Sequence, residues 1–125
     1  MKILVVDDER DVEDLFRQKF RKEIRNEGLE LVFAFSGKEA LEILETTNPP
    51  QVASVFSDIN MPGMSGLEML GIIKSRFPQL QVNMISAYGD TDNYTRAMSS
   101  GAKGFFTKPV DFESLRREIG EILRS

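Results

Sequence analysis

Five short apolar runs divide this chain, and they restrict its fold more than any other feature. The runs are rich in β-branched and aromatic residues and mostly lack the polar alternation of a strand with one wet face. Such runs are typical of strands buried on both faces of a parallel sheet. They lie at residues 3–6, 31–35, 52–56, 82–85 and 105–106. The segments between them have helical periodicity, so the order predicts a doubly wound α/β domain with a five-stranded parallel sheet and five helices.

Capping residues mark the expected starts of several helices. Ser36 and Ser65 are each followed three residues later by Glu, which is the pattern of a capping box. Asp90 and Asp111 are further candidate N-caps. The first and last helices are expected to bury apolar stripes, because side chains three or four positions apart share one helix face. These stripes comprise Val12, Leu15, Phe16, Phe20 and Ile24, and Phe112, Leu115, Ile119 and Ile122 or Leu123.

Length and composition favour one globular domain over residues 1–125, with no second domain. The chain has no Cys and no His, which excludes disulfides, thiolate nucleophiles, zinc sites built on thiolate or imidazole, and imidazole bases. A formal net charge of -4 argues against direct nucleic-acid binding, which needs a concentrated basic surface. No signal peptide precedes Asp7 and no apolar stretch is long enough for membrane insertion, so we expect a cytoplasmic protein.

Three carboxylates follow two of the predicted strands. Asp7 and Asp8 come directly after the first apolar run, and Asp58 comes shortly after the third. Because the carboxyl ends of parallel strands share one edge of the sheet, we expect these side chains to converge. A single Asp at a strand end is more often a turn or capping residue, but three converging anions favour a bound cation. An all-oxygen ligand set is typical of Mg²⁺.

Ser86 and Lys108 follow the fourth and fifth runs, and we expect them at the same edge. The Ser86 hydroxyl could donate to a phosphoryl oxygen, although a Ser before a loop is often only a capping group. Lys108 could pair with the carboxylates and a phosphoryl group; the alternative is an exposed Lys at a strand end. With a metal and Lys108 beside it, Asp58 could attack phosphorus and form an aspartyl-phosphate.

Four segments of the chain, in order, resemble the receiver domain of two-component response regulators. They are residues 4–9 (LVVDDE), 56–66 (FSDINMPGMSG), 85–87 (ISA) and 105–109 (FFTKP). Each segment by itself is a weak motif, whereas all four at these spacings are specific, and the resemblance covers the whole chain. It implies a flavodoxin-like sheet with strand order 2-1-3-4-5 and a cis bond before the proline of the last segment.

The resemblance also assigns roles to the acidic residues. Asp58 would be the phosphoacceptor. Asp8, Asp58 and the backbone carbonyl of Asn60 would bind Mg²⁺ directly. Asp7 would act mainly through metal-bound water.

A conformational switch is a further implication of the resemblance. Ser86 and Lys108 would contact the phosphoryl group, Ser86 would move toward it, and Phe105 would rotate inward into the vacated space. The response would reach the fourth helix, the fifth strand and the fifth helix. Ser86 stands where Thr is frequent in the family, and Phe105 where Tyr is frequent. Tyr88 is expected to shield the phosphoryl group from water.

These features together predict a phosphorylation-controlled signalling switch rather than an enzyme with a metabolic substrate. Because the chain lacks His, the donor would be the phospho-His of a partner, either a sensor histidine kinase or a histidine phosphotransfer protein. An output domain or protein would read the result. One alternative is an aspartate-nucleophile phosphohydrolase, but such enzymes have a second Asp two positions later, where Asn60 cannot exchange a proton. A nucleotide-binding, flavodoxin-like module is another alternative, and the chain lacks its Gly-rich phosphate loop.

Overall fold

The computed structural model describes residues 1–46, 50–87 and 91–124, in which strands and helices alternate. The strands are β1 (Lys2–Val6), β2 (Glu30–Ala34), β3 (Ser54–Asp58), β4 (Gln81–Ala87) and β5 (Gly104–Lys108). The helices are α1 (Asp11–Lys19), α2 (Arg21–Asn26), α3 (Gly37–Glu45), α4 (Gly66–Arg76), α5 (Thr91–Ser99) and α6 (Phe112–Arg124). Within these described ranges, no helix combines the length and the apolar character needed to cross a membrane.

The five strands form one parallel sheet in the order β2-β1-β3-β4-β5, which confirms the predicted sheet and its strand order. β3 lies at the centre and is buried at all five of its positions. β5 lies at an edge, and none of its positions is fully buried. In the ladders Asp58 lies opposite Ile85, and Lys108 lies opposite Ala87. The carboxyl ends of these strands therefore meet at one edge of the sheet.

Helices cover both faces of the sheet and enclose two apolar clusters. On one face α1, α2 and α6 pack around Phe16, Phe20 and Leu115. The rings of Phe16 and Phe112 meet edge to face there, with centroids 5.5 Å apart. On the other face α3, α4 and α5 enclose the cluster that contains Met84. The sheet, and with it the carboxyl edge, is held between two packed layers.

The predicted first helix is divided into α1 and α2, so the described residues form six helices rather than the five expected. The break lies at Phe20, which is fully buried and leaves the helical region at φ -108° and ψ 21°. A continuous helix would use the Lys19 carbonyl for its own backbone. Here that carbonyl accepts a hydrogen bond from Arg116 Nη2 of α6 at 2.5 Å. The break is thus bonded to a residue 97 positions away, a contact that local periodicity does not show.

Each of the five strands extends at least one residue beyond its apolar run, and β3 and β5 illustrate this. The third run predicts a strand at 52–56, but β3 begins and ends two residues later. The fifth run covers 105–106, whereas β5 extends on both sides of it. Ser57 and Lys108 continue the ladders because strand pairing satisfies backbone groups whatever the side chain is.

The predicted helix caps form where the structure describes them. Ser65 makes the complete capping box at the start of α4. At Ser36 the structure describes one of the two bonds of the predicted capping box: Ser36 Oγ accepts a hydrogen bond at 3.0 Å from the backbone N–H three positions later. Asp111 Oδ1 accepts one at 3.0 Å from the backbone N–H two positions later, at the start of α6. Asp90 lies outside the described residues.

Candidate functional site

Three carboxylates meet at the carboxyl edge of the sheet, as their positions in the sequence predict. Asp7 and Asp8 lie on the loop after β1, and Asp58 is the last residue of β3. One oxygen from each of the three side chains lies within 4.8 Å of the others. Asp7 and Asp58 are buried, while Asp8 is exposed. The acidic cluster is therefore closed toward the core and open to solvent on one side.

Lys108 brings a positive charge to this acidic cluster. Its Nζ lies 3.2 Å from Asp58 Oδ2 and 3.4 Å from Asp7 Oδ2. Lys108 ends β5, two strands away from β3 in the sheet, so the parallel topology places it here. One ammonium beside three carboxylates leaves an excess of negative charge when all of them are ionised.

The pKa shifts of two groups reflect this charge excess. Burial raises the pKa of Asp58 above its ordinary value and the Asp7 carboxylate raises it further, while Lys108 opposes both effects without cancelling them. Burial lowers the pKa of Lys108, but the attraction of Asp58 and Asp7 outweighs it, so the pKa of the ammonium is raised. The arrangement keeps Lys108 protonated and makes the ionised form of Asp58 costly.

The donors of the cluster fit Mg²⁺. All of them are oxygens, and Mg²⁺ in proteins is usually held by one or two carboxylates and several waters. The exposed side at Asp8 leaves room for those waters. Backbone N–H groups orient the buried carboxylates: Glu9 donates to Asp7 Oδ1 at 2.9 Å, and Asn60 donates to Asp58 Oδ1 at 3.4 Å. The four residues predicted to bind the metal therefore lie together.

Gly66 fixes the backbone at Asp58, a role that the sequence did not reveal. The loop after β3 returns to the strand, where the Gly66 N–H donates to the Ile59 carbonyl at 2.8 Å. A Cβ at position 66 would lie 2.2 Å from the carbonyl oxygen of Asp58, so only Gly fits without a backbone shift. The signal available in the sequence is a Gly directly after the N-cap Ser65, since Gly is a poor helix former at a first helical position.

Ser86 lies near the carboxyl end of β4, and Phe105 lies on the neighbouring strand β5. Ser86 is fully buried, and its Oγ has no hydrogen-bond partner among the described residues. Buried hydroxyls usually have a partner, so this one is available to an acceptor at the sheet edge. Phe105 is half-buried, and its ring meets that of Tyr94 edge to face with centroids 5.3 Å apart. Tyr88 lies outside the described residues.

A cleft of about 310 Å³ opens beside the acidic cluster, with Asp7 and Lys108 in its lining. Most of the other lining residues are apolar and come from α1, α6 and the loop before α6. Leu15, which the helical stripe predicts to be buried, is 41% exposed and lines this cleft. The bond between Lys108 and Pro109 in the cleft wall is cis, as predicted. The cleft was not predictable because it is formed by elements far apart in the sequence.

The chain is similar to several characterised proteins. The family model described as the response regulator receiver domain matches residues 3–120. The sporulation initiation phosphotransferase F of Bacillus subtilis is 32% identical over 98% of this chain and 93% of that protein. The response regulator protein PilR of Pseudomonas aeruginosa is 37% identical over 98% of this chain and 26% of that protein. A cyclic di-GMP phosphodiesterase of Thermotoga maritima is 34% identical over all of this chain, and the match covers 32% of that protein.

Solved structures share the fold. A response regulator receiver domain protein of Clostridium thermocellum superposes with a TM-score of 0.84 at 31% identity, covering 98% of this chain and 94% of the other. The response regulator TrrA of Thermotoga maritima, in complex with Mg²⁺ and beryllofluoride, superposes with a TM-score of 0.80 at 28% identity. That match covers 97% of each chain.

Proposed function

Since the chain belongs to the response regulator receiver family, whose domains are phosphorylation-controlled signalling switches, we propose that Asp58 accepts the phosphoryl group. One observation carries this assignment: Asp58 is a buried carboxylate at the sheet edge with Lys108 Nζ at 3.2 Å. Oxygens of Asp7 and Asp8 lie within 4.8 Å of it. In the part of the chain that the structure describes, no other group of three carboxylates is placed to hold a metal.

The proposed transfer is a substitution at phosphorus. A carboxylate oxygen of Asp58 attacks the phosphorus, the bond to the donor's imidazole nitrogen breaks, and the electron pair of that bond returns to the nitrogen. Lys108 stays protonated and stabilises charge on the transferring oxygens. Asp8, Asp58 and the carbonyl of Asn60 would hold Mg²⁺, which supplies further positive charge at those oxygens. Asp7 would act through a metal-bound water.

The phosphoryl donor is a separate protein in this proposal, because the chain contains no His. We propose a sensor histidine kinase or a histidine phosphotransfer protein, encountered in the cytoplasm. The apolar cleft supports this choice, since an apolar groove binds the apolar face of a partner helix. Exposed Leu15 would contact such a helix, while Asp7 and Lys108 at the same cleft would face its phospho-His.

The output is proposed to begin at Ser86. Its hydroxyl would donate to a phosphoryl oxygen, Phe105 would rotate inward, and the change would reach α5, β5 and α6. The weak anchoring of α5 supports this route, because Ala97 is the one buried residue that the structure describes on that helix. The net charge of -4 supports output through another domain or protein rather than direct nucleic-acid binding. All described elements share one sheet or pack on it, which supports treating residues 1–125 as one receiver domain.

Phosphorylation by a small donor tests the assignment. Incubation with acetyl phosphate and Mg²⁺ should raise the intact mass by one phosphoryl group in the wild type and not in Asp58→Ala. The control variant Asp92→Asn, at an exposed residue of α5, should be labelled like the wild type. Equal labelling of Asp58→Ala, or labelling in excess EDTA, would contradict the proposal. Sustained turnover of a small phosphoester would indicate a phosphohydrolase instead.

A further inference from the structure

Tyr94 packs against Phe105 from the outer side of the domain. The two rings meet at 78°, with centroids 5.3 Å apart. Tyr94 lies on α5, is 50% exposed, and precedes the buried Ala97 by three positions. Residues three apart share a helix face, so the Tyr94 ring is on the side of α5 that faces the sheet. The ring is thus a large apolar group that joins this weakly anchored helix to β5.

Phe105 and Ser86 lie on the same face of the sheet. Phe105 lies opposite Met84, and Thr107 lies opposite Ser86, in the ladder between β4 and β5. Alternate residues of a strand share a face, so Ser86 is the diagonal neighbour of Phe105. Phe105 packs on the apolar cluster of that face and also contacts the ring of Tyr94 on α5. The present contact with Tyr94 belongs to this position of the Phe105 ring, and a turn toward Ser86 would change it.

We propose that Tyr94 holds Phe105 in the position seen in this structure and so sets how readily the switch turns before phosphorylation. This inference rests on the proposed function, because it assumes phosphorylation of Asp58 and rotation of Phe105. An edge-to-face ring pair stabilises only the arrangement in which it forms. Loss of the Tyr94 ring therefore shifts the equilibrium toward the inner arrangement, and a ligand that prefers this arrangement gains apparent affinity. Tyr94 is a positioning residue that acts through Phe105.

Binding of beryllofluoride with Mg²⁺, as a stand-in for the phosphoryl group, tests this role. Calorimetric titration should show roughly two- to tenfold tighter binding by Tyr94→Ala than by the wild type, the range expected for loss of one aromatic pair. Tyr94→Phe should bind like the wild type because it keeps the ring. Met98→Ala, at another exposed apolar residue of α5, controls for lost surface and should also bind like the wild type.

A double variant separates the ring contact from a general effect on the helix. In a Phe105→Ala background, Tyr94→Ala should no longer change the affinity, because the partner ring is absent. Unchanged or weaker binding by Tyr94→Ala with a lowered melting temperature would show a purely structural role and overturn the inference. An equal gain in Met98→Ala or in the Phe105→Ala background would overturn it as well. A wild type that fails to bind beryllofluoride would instead contradict the proposed function.

Discussion

β3 and β5 carry the two sides of the proposed switch, and their surroundings differ. β3 is central, is buried at all five positions and ends on Asp58. β5 is an edge strand that carries Phe105, and none of its positions is fully buried. The neighbouring helices differ in the same way: α4 buries four residues, while α5 buries Ala97 as its one fully buried residue in the described part.

This difference separates the proposed place of the chemistry, Asp58, from the proposed place of the response, Phe105. A carboxylate that must meet a metal and a phosphoryl group gains from a backbone that resists deformation. A surface that must change shape gains from few buried contacts, because local rearrangements then cost little free energy. The sheet provides a rigid backbone for Asp58 at its centre and a less buried position for Phe105 at its edge.

The largest difference in stability should appear when one phenylalanine of each strand is truncated to alanine. Phe56 is fully buried on β3, so Phe56→Ala should lower the free energy of unfolding by about 3–5 kcal/mol. Phe105→Ala should cost less, because truncation of a partly exposed ring leaves a smaller cavity. Urea unfolding of both variants measures the difference. Equal losses would mean that the edge is packed as tightly as the centre.

Mg²⁺ should stabilise the acidic cluster by mass action. A hundredfold excess over the dissociation constant adds about 2.7 kcal/mol to the free energy of unfolding. Asp8→Asn removes one of the repelling charges, so it should melt above the wild type in EDTA and gain much less from Mg²⁺. The control Asp92→Asn should respond to Mg²⁺ like the wild type. Identical melting of wild type and Asp8→Asn in both buffers would mean that the carboxylates do not share a metal.

A smaller effect should appear in the pH dependence of stability without metal. The pKa of Asp58 is raised by burial and by Asp7, so the folded chain binds this proton more tightly than the unfolded chain. Stability should therefore fall as pH rises from the ordinary carboxyl pKa through the raised one. Asp58→Asn should be the more stable protein at neutral pH in EDTA, and the difference should vanish in acid.

Asp111 offers a control because its pKa is shifted in the opposite direction from that of Asp58. Hydrogen bonds from Ser114 and from the backbone N–H of Glu113 lower its pKa, so its ionised form favours folding and this contribution is lost in acid. Asp111→Asn should therefore be less stable than the wild type at neutral pH and approach it as the pH falls. If Asp58→Asn and Asp111→Asn change stability in the same direction, the charge at Asp58 is not the cause.

The smallest change in stability should come from replacing Gly71, which lies on the solvent side of α4. A Cβ at Gly71 would have no atom of the described structure within 4 Å, so Gly71→Ala should stabilise the helix by about 0.5–1 kcal/mol. Its neighbour Gly66 on the same helix contacts the end of β3, and Gly66→Ala should destabilise the protein and slow phosphorylation. Thermal melting of both variants provides the test. A loss of stability at Gly71 would contradict the interpretation of its exposed position.

The sheet and the acidic cluster could be predicted because their determinants are local or topological. Burial on both faces shows directly in short apolar runs, which defined the strands and their order of appearance. Once the strands are parallel, residues at their carboxyl ends must meet, which placed Asp7, Asp58 and Lys108 together.

The remaining features depend on contacts between distant positions. At the break between α1 and α2 the Lys19 carbonyl bonds to Arg116, and the Phe105 ring contacts Tyr94 of another element. The requirement for glycine at position 66 depends on how closely a loop returns to its strand. Periodicity and propensity describe neighbours within a few residues, so none of these contacts could be derived from them.

Lys108 and Arg116 each complete a structure that begins near the start of the chain. Lys108 bonds to Asp7 across 101 positions, and Arg116 bonds to the buried Glu23 across 93. A ribosome delivers the chain from its amino terminus, so the acidic partners emerge before either cation has been synthesised. Until then the carboxylates of Asp7 and Glu23 cannot be buried with their charge partners. Synthesis therefore leaves the acidic cluster without Lys108 until β5 has emerged, and it leaves Glu23 without Arg116 until α6 has emerged.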